Sequence, residues 1–528
     1  MGEAARPRWR GARTRHWPAE ALAALSAAAL SVLLLAHLVG SPRAWLLLYD
    51  GDSVLPALLA GSVRVEQSAD WALSAVAFVP ESAVYLALAA LGLSVQATLA
   101  LNAVVNLLAL YAALRFVAGA ALPDRGSGAR AALAPGAFAV FIGFGLLEGS
   151  ASRETLELAS LLATTTYYSA AVIATVVCLA LLLRVLAPSR PENAARRDAV
   201  LLAAVTALSV MSNPIVALWY VAPLLALAAL ALGAGLAPRP RLAAAAAALV
   251  AGSALGTLLR QPLRSLLTEN PGDKVNLAGS AASARYYADL LAQRWADGGW
   301  PVVLVVALLL SVGVAATVVA LRTRRLEYAL LATAGWFIPL LSVLGAIALG
   351  TQSPRYLQPV LVAPVLAVIA APVLLRPTVD ATFERMRARR LAIPVAFTLA
   401  AALIAAGAVA GGTTARRLDA VDASVGCVVG WVEASARTGV GTFWTVRAPK
   451  AYLADPRRLV QVDAQLNGYA WLVNRDDYAA RRASFIVVSD DGGVAVPPGL
   501  PEPRPVDCGH YTILDFDRAV LEIGPAHG

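Results

Sequence analysis

The chain has 528 residues, 59% of them hydrophobic and only 15% charged, with a formal net charge of +9, and its mean hydropathy is +0.67. Soluble domains lie nearer roughly 45–50% apolar and 25% charged, so a soluble globular protein is excluded and a mainly α, polytopic helical membrane protein is predicted. The positive charge sits in short loops between apolar stretches, which is the pattern of topology determinants, so no nucleic-acid partner is expected.

Residues 1–20 form a basic tail carrying Arg6, Arg8, Arg10, Arg13 and Arg15, which the positive-inside rule places in the cytoplasm. The first apolar stretch lacks a small-residue cleavage site and reads as a signal anchor. A crossing helix needs about 20 apolar residues. Stretches that meet or nearly meet this run over 21–39, 98–119, 131–148, 166–186, 198–212, 215–235, 242–258, 300–320, 328–349, 357–375 and 391–411, about eleven spans within a membrane domain of 21–411. With that count the clusters Arg184/Arg190/Arg196/Arg197, Arg239/Arg241, Arg322/Arg324/Arg325 and Arg376/Arg385/Arg387/Arg389/Arg390 all fall on the cytoplasmic side. A full span at 82–97 would break this parity, so an interfacial or re-entrant helix is predicted there. Ser212-Asn213-Pro214 is predicted as a tight turn at one membrane face.

The opposite side receives the loops 40–81 and 259–299 and the region 412–528, which is richer in charge, Gly and Pro. Its β-like runs Leu459–Val462, Phe485–Val488 and Tyr511–Leu514 predict a small extracytoplasmic domain, α/β or mainly β, with α/β the reading preferred. Cys427 and Cys508 bracket that domain and can clasp it with a disulfide in an oxidising compartment. Cys178, inside a span, reads as a core residue, and the scattered histidines suggest no histidine metal site.

Chemistry concentrates in the first outer loop: Tyr49-Asp50-Gly51-Asp52-Ser53, then Asp70-Trp71, then Pro80-Glu81. Carboxylates beside a bilayer are costly and therefore mark function. The pair Asp50 and Asp52 can hold Mg²⁺ or Mn²⁺, or one of them can serve as general base, with Asp70 in reserve; the competing reading is a solvated Asp-Gly turn. Arg355, at the outer start of the tenth span beside Tyr356, runs against the positive-inside trend and calls for an anionic partner such as a phosphate, or else it snorkels at the interface. Thr164–Ser169 adds hydroxyls with Tyr167 and Tyr168, either a sugar-binding lining to which Glu81 contributes or an aromatic belt. Arg153, Glu154 and Glu157 precede it as outer-surface or cavity charges. The aromatics of Gly439–Trp444 and Tyr469–Arg475 are either acceptor contacts or core. No Walker, zinc or dinucleotide pattern is present.

Taken together, the layout resembles the GT-C-type membrane glycosyltransferases: a cytoplasmic N-terminus, a long acidic first outer loop, many spans and an outer C-terminal domain. That family's DxD-like motif corresponds to Asp50 and Asp52, and its Arg-Tyr near a later outer face is similar to Arg355-Tyr356, followed by Pro359. No WWDYG-like motif appears, so oligosaccharyl transfer to protein is not implied and a divergent bacterial branch fits better. The resemblance implies a polyprenyl-phosphate-linked sugar as donor and a cell-envelope glycan or lipid as acceptor. Either Asp50 or Asp52 would be the base, and Arg355 and Tyr356 would hold the donor phosphate. The implied location is the bacterial inner membrane. A carrier or flippase for a lipid-linked or anionic substrate, or an envelope-assembly scaffold, are the alternatives.

Overall fold

A bilayer offers no hydrogen-bond partner to a free peptide group, so apolar stretches of this length fold as helices. The computed structural model describes residues 17–122, 127–268, 276–374, 381–490, 492, 494, 496, 498–517 and 520–528. Residues 1–16 of the basic tail, the segment 269–275 and Arg376 lie outside the described residues, as do the side chains of Arg385, Arg387, Arg389 and Arg390. In chain order the helices are α1 (Trp17–Val39), α2 (Ala44–Leu48), α3 (Leu55–Arg64), α4 (Val79–Ala89), α5 (Val95–Ala121) and α6 (Ser127–Gly145). There follow α7 (Ser169–Leu186), α8 (Glu192–Ser212), α9 (Ala222–Gly233), α10 (Arg239–Leu259), α11 (Ser280–Arg294), α12 (Trp300–Arg322) and α13 (Leu326–Ala348). The tenth predicted span is broken into short segments that include α14 (Pro359–Val362) and α15 (Leu366–Ala370), and the last membrane helix is α16 (Ala381–Leu418). Two helices of the C-terminal region, α17 (Ala423–Ser435) and α18 (Phe443–Tyr452), complete the set.

Among the described residues, eight helical segments are long and apolar enough to cross a membrane. The other three predicted spans are also helical. They coincide with α6, interrupted by Pro135; with α8, whose first turns are charged; and with Ala217–Gly233, a π-turn running into α9. The segment 82–97 is divided: α4 ends at Ala89, and α5 begins at Val95, where the Ser94 side chain accepts from the Ala97 amide. With 11 residues, α4 rises only about 16 Å, which is too short to cross and agrees with an interfacial helix.

Close helix contact here relies on small residues, because lipid gives helices no hydrophobic reason to associate. On α10, Gly252 and Gly256 lie so near α8 that a Cβ on either would stand 2.5 Å from the carbonyl oxygens of Ala203 and Ala207. Tracing the helices places Arg184, Arg190, Arg239, Arg241, Arg322 and Arg325 at one end of the bundle. The turn Asn213-Pro214, the C-terminal end of α13 and the start of the tenth segment lie at the other end, around a large cavity.

The C-terminal region packs on that cavity end. Its five-stranded sheet runs Leu459–Gln461, Gly439–Gly441, Phe485–Ser489, Tyr511–Asp515, Arg504–Cys508, the first three parallel and the last two antiparallel. All three runs read as strands from the sequence are present. The helix α16 continues to Leu418, so the domain starts a few residues later than position 412. Cys427 on α17 and Cys508 are disulfide-bonded, with Cα atoms 5.5 Å apart. The first outer loop is not a free connection. It forms α2 and α3, and Trp71–Ala72 pairs antiparallel with Val473–Asn474 of the C-terminal region. Phe443, Val446 and Phe485 join the same buried apolar cluster as the membrane helices, so the two parts share one core.

Candidate active site

Asp50 follows α2, and its carboxylate caps the turn it starts: Oδ1 accepts from the amides of Asp52 (3.0 Å) and Ser53 (3.4 Å). The Tyr167 hydroxyl donates to the same oxygen at 3.1 Å, and Arg153 donates to Oδ2 at 3.0 Å. Asp50 is only 5% exposed. Burial, and after it the neighbouring charge of Asp52, push its carboxyl above the ordinary carboxylate range, against the pull of Arg153. Asp52 is placed differently. Its backbone carbonyl accepts from Thr166 Oγ1 at 2.6 Å, while its side chain turns toward the cavity and pairs with Arg355 at 3.1 Å.

The reason for glycine between the two acids is also particular. Gly51 does not adopt a positive φ, so backbone freedom is not what it supplies. A Cβ there would stand 2.9 Å from Phe443 Cε1 and 3.1 Å from Trp444 Cε3. The turn needs glycine because the α18 aromatics lie directly on it. Arg447, also on α18 and buried, donates to the Gly51 carbonyl at 2.6 Å and to the carbonyl of Leu472. The peptide it binds carries the Asp52 amide that donates to Asp50, so the C-terminal domain polarises the acid turn through one hydrogen-bonded chain.

The cavity these residues face measures about 1160 Å³, larger than the roughly 300–1,000 Å³ of a site for one drug-sized ligand. One wall belongs to the membrane helices and holds Asp52, Phe78, Tyr168, Asn213, Arg355 and Tyr356; the facing wall is Phe443, Trp444, Tyr469, Trp471 and Leu472. Tyr168 is stacked between Phe78 and Tyr356, at centroid distances of 6.0 and 6.2 Å. Both Phe78 (φ +49°) and Tyr168 (φ +65°) hold left-handed backbone, a strain of order 1–3 kcal/mol each that clusters at functional sites. Arg355 lies 5.6 and 6.0 Å from the ring centres of Tyr167 and Tyr168, and its Nε donates to Ser353 Oγ at 3.1 Å.

Arg153 is carried by a connection that is itself locked. Glu148 accepts from the amides of Ala159 and Ser160, and Glu157 from those of Gly149 and Ser150. Buried Arg43 donates to the carbonyls of Ser150 and Ser152 and to Ser160 Oγ, and Arg294 of α11 pairs with Glu157 at 2.9 Å. The Arg153 guanidinium so presented lies 3.6 Å from the Trp444 ring centre, a cation–π contact.

The structure therefore brings Asp52, Arg355, Tyr356 and Tyr168 to one cavity, with Asp50 and Tyr167 immediately behind. It does not bring Asp70 there: that residue is exposed and paired with Arg475 at 2.6 Å, tying the outer loop to the C-terminal domain. Nor does Glu81 line the cavity. It is buried at the start of α4, one oxygen 3.3 Å from the Ala170 amide and the other without a hydrogen-bond partner among the described residues, and burial raises its carboxyl to about 7. Of the residues that carry the site, Arg153 had a readable signal, since like Arg355 it falls on the side opposite the arginine-rich loops. Arg447 had none, because a basic residue in a polar domain is unremarkable.

Each carboxylate of the acid pair faces a guanidinium, at 3.0 and 3.1 Å, and among the described residues no group of three or more His, Cys, Asp or Glu side chains converges.

No family model, curated protein or solved structure matches this chain.

Proposed function

We propose that the protein is a membrane glycosyltransferase that moves a sugar from a polyprenyl-phosphate donor to an envelope glycan or lipid acceptor. The observation that carries this reading is the Asp52–Arg355 pair on the wall of the 1160 Å³ cavity at the end of the bundle away from the arginine-rich loops. Under the positive-inside rule that end is extracytoplasmic, the N-terminus is cytoplasmic, and the region from about residue 419 is an outer domain of a bacterial cell-membrane protein.

The donor's phosphate docks on Arg355 beside Tyr356, with its polyprenyl tail toward the bilayer and its sugar against Tyr168. Asp52 takes the proton of the acceptor hydroxyl, whose oxygen attacks the anomeric carbon. The bond from that carbon to the phosphate oxygen breaks, and its electron pair leaves on the phosphate, whose charge Arg355 stabilises. Protonated Asp52 then returns its proton to water. Asp50, buried and saturated with hydrogen bonds, positions Asp52 and does not act as base. No metal takes part in these steps. Donor activation resides in the lipid phosphate, so no nucleotide site is required.

The test is release of polyprenyl phosphate by the purified protein in lipid, across a panel of polyprenyl-phosphate sugars, with and without EDTA. Wild type consumes one donor class equally well under both conditions. Asp52→Asn lowers turnover by about 10²–10⁴-fold, the usual worth of a general base, with donor binding retained. Donor binding without consumption of any sugar would instead indicate a carrier, and no binding at all a scaffold.

A further inference from the structure

We infer that Arg355 is an exchange site for one phosphate charge. In the resting protein the Asp52 carboxylate occupies it; an arriving phosphodiester displaces that carboxylate and thereby frees it to act as base. This deepens the transferase reading and rests on it only for the identity of the ligand.

Three features of the site carry the inference. First, the two partners can part without collapse. Arg355 is held independently of Asp52 by Ser353 Oγ, by the rings of Tyr167 and Tyr168, and through its carbonyl by Gln358 at 3.1 Å. Asp52 is held independently of Arg355 through its backbone, by Thr166 at its carbonyl and Asp50 at its amide. A rotation of one side chain is all the exchange needs.

Second, the other cation on the cavity wall is committed. Arg153 pairs with Asp50 at 3.0 Å, stands 3.9 Å from Glu154 and lies on Trp444. Arg447 does not line the cavity and donates to two backbone carbonyls. One guanidinium fork is therefore available, which suits one anionic phosphate. A diphosphate would bring charge that no described cation on this wall can meet.

Third, Asp52 is the carboxylate that faces Arg355, whereas Asp50 and Glu154 stand against Arg153. A phosphate that takes Arg355 therefore parts Asp52, and neither of the other two, from its cation. While Arg355 holds the Asp52 side chain at 3.1 Å, that carboxylate is engaged, so it is free to reach the acceptor hydroxyl only with donor in place.

The probe is a polyprenyl methyl phosphate, which carries the donor's single charge and no transferable sugar. Its affinity is measured by calorimetry in lipid nanodiscs for wild type, Asp52→Asn, Asp52→Ser, Arg355→Gln and the double variant Asp52→Asn/Arg355→Gln, with thermal melts confirming that each is folded. Exchange predicts binding at least about tenfold tighter in both Asp52 variants, the size of one partly screened charge repulsion. It also predicts weaker binding in Arg355→Gln and no gain from Asp52→Asn in the double variant. Unchanged or weaker binding in the Asp52 variants overturns it, because Asp52 would then support the phosphate, as a metal-bridging carboxylate would. A gain that survives without Arg355 overturns it as well. Donor turnover separates this from the parent reading. Turnover without the tightening removes the exchange alone, and tightening without turnover of any donor removes the transferase alone.

Discussion

Two carboxylates two residues apart have opposite surroundings here, and under the transferase reading the difference separates their roles. Asp50 has its oxygens filled by two amides, a tyrosine and an arginine, whereas Asp52 looks into the cavity with one arginine for company. Nothing in the tripeptide distinguishes them, because the partners Arg153, Thr166, Tyr167 and Arg355 lie about a hundred to three hundred positions away. Glu81 shows the same dependence on surroundings. Its burial, with one oxygen lacking a hydrogen-bond partner among the described residues, holds its carboxyl at about 7, against an ordinary value of about 4.3 in the unfolded chain. The folded state thus binds the extra proton, so the stabilisation is complete below about pH 4.5 and is lost as pH rises through about 7. Thermal melts from pH 4.5 to 8 should fall in wild type, with a loss on the order of 3 kcal/mol, and should be markedly flatter in Glu81→Gln. Equal slopes would remove this account of Glu81.

At the scale of elements, the acid turn is a joint between α2 and α18. Because Phe443 and Trp444 rest on Gly51, a methyl group there must move either the rings or the turn. Gly51→Ala is expected to lower kcat by about tenfold or more, since misplacement of a reacting group by 1 Å can cost about 10²-fold, with little change in polyprenyl-phosphate binding. Arg447→Lys, which keeps the charge but not the fork that joins the Gly51 and Leu472 carbonyls, should lose kcat similarly, and added guanidinium should partly restore activity to Arg447→Gly. A change confined to KM in either variant would mean that α18 shapes binding and not the turn. The elements themselves were mostly legible. Helices formed at all the predicted spans, and the runs Leu459–Val462, Phe485–Val488 and Tyr511–Leu514 formed strands, because hydrophobic length and alternation are local properties. The division at Ala89–Val95 was legible only as a break in charge parity, since 82–97 carries no charged residue.

For the whole molecule, the outer loop and the C-terminal domain fold as one body over the membrane helices. Arg475 with Asp70, Gln67 with Asp477 and the Trp71–Ala72 pairing all cross that boundary. The disulfide closes a separation of 81 residues within the domain, and for a loop of that length its loss costs about 2–5 kcal/mol. Dithiothreitol or Cys508→Ser should therefore lower the melting temperature and, because α18 completes the site, should reduce turnover at temperatures where the membrane helices stay folded. Activity indifferent to the bridge would show that the domain's docking does not depend on it.

Composition, span lengths, the end of the bundle that bears the arginine loops, the strand runs and the candidates Asp52 and Arg355 were all determined by the sequence alone, because each follows from local hydrophobicity or from charge out of place beside a bilayer. Tertiary structure decided which carboxylate faces the cavity, withdrew Asp70 to a surface pair with Arg475, turned Glu81 away from the site and enrolled Arg153 and Arg447. Those outcomes depend on which distant side chains meet, and a buried charge takes its role from the partners that packing brings to it.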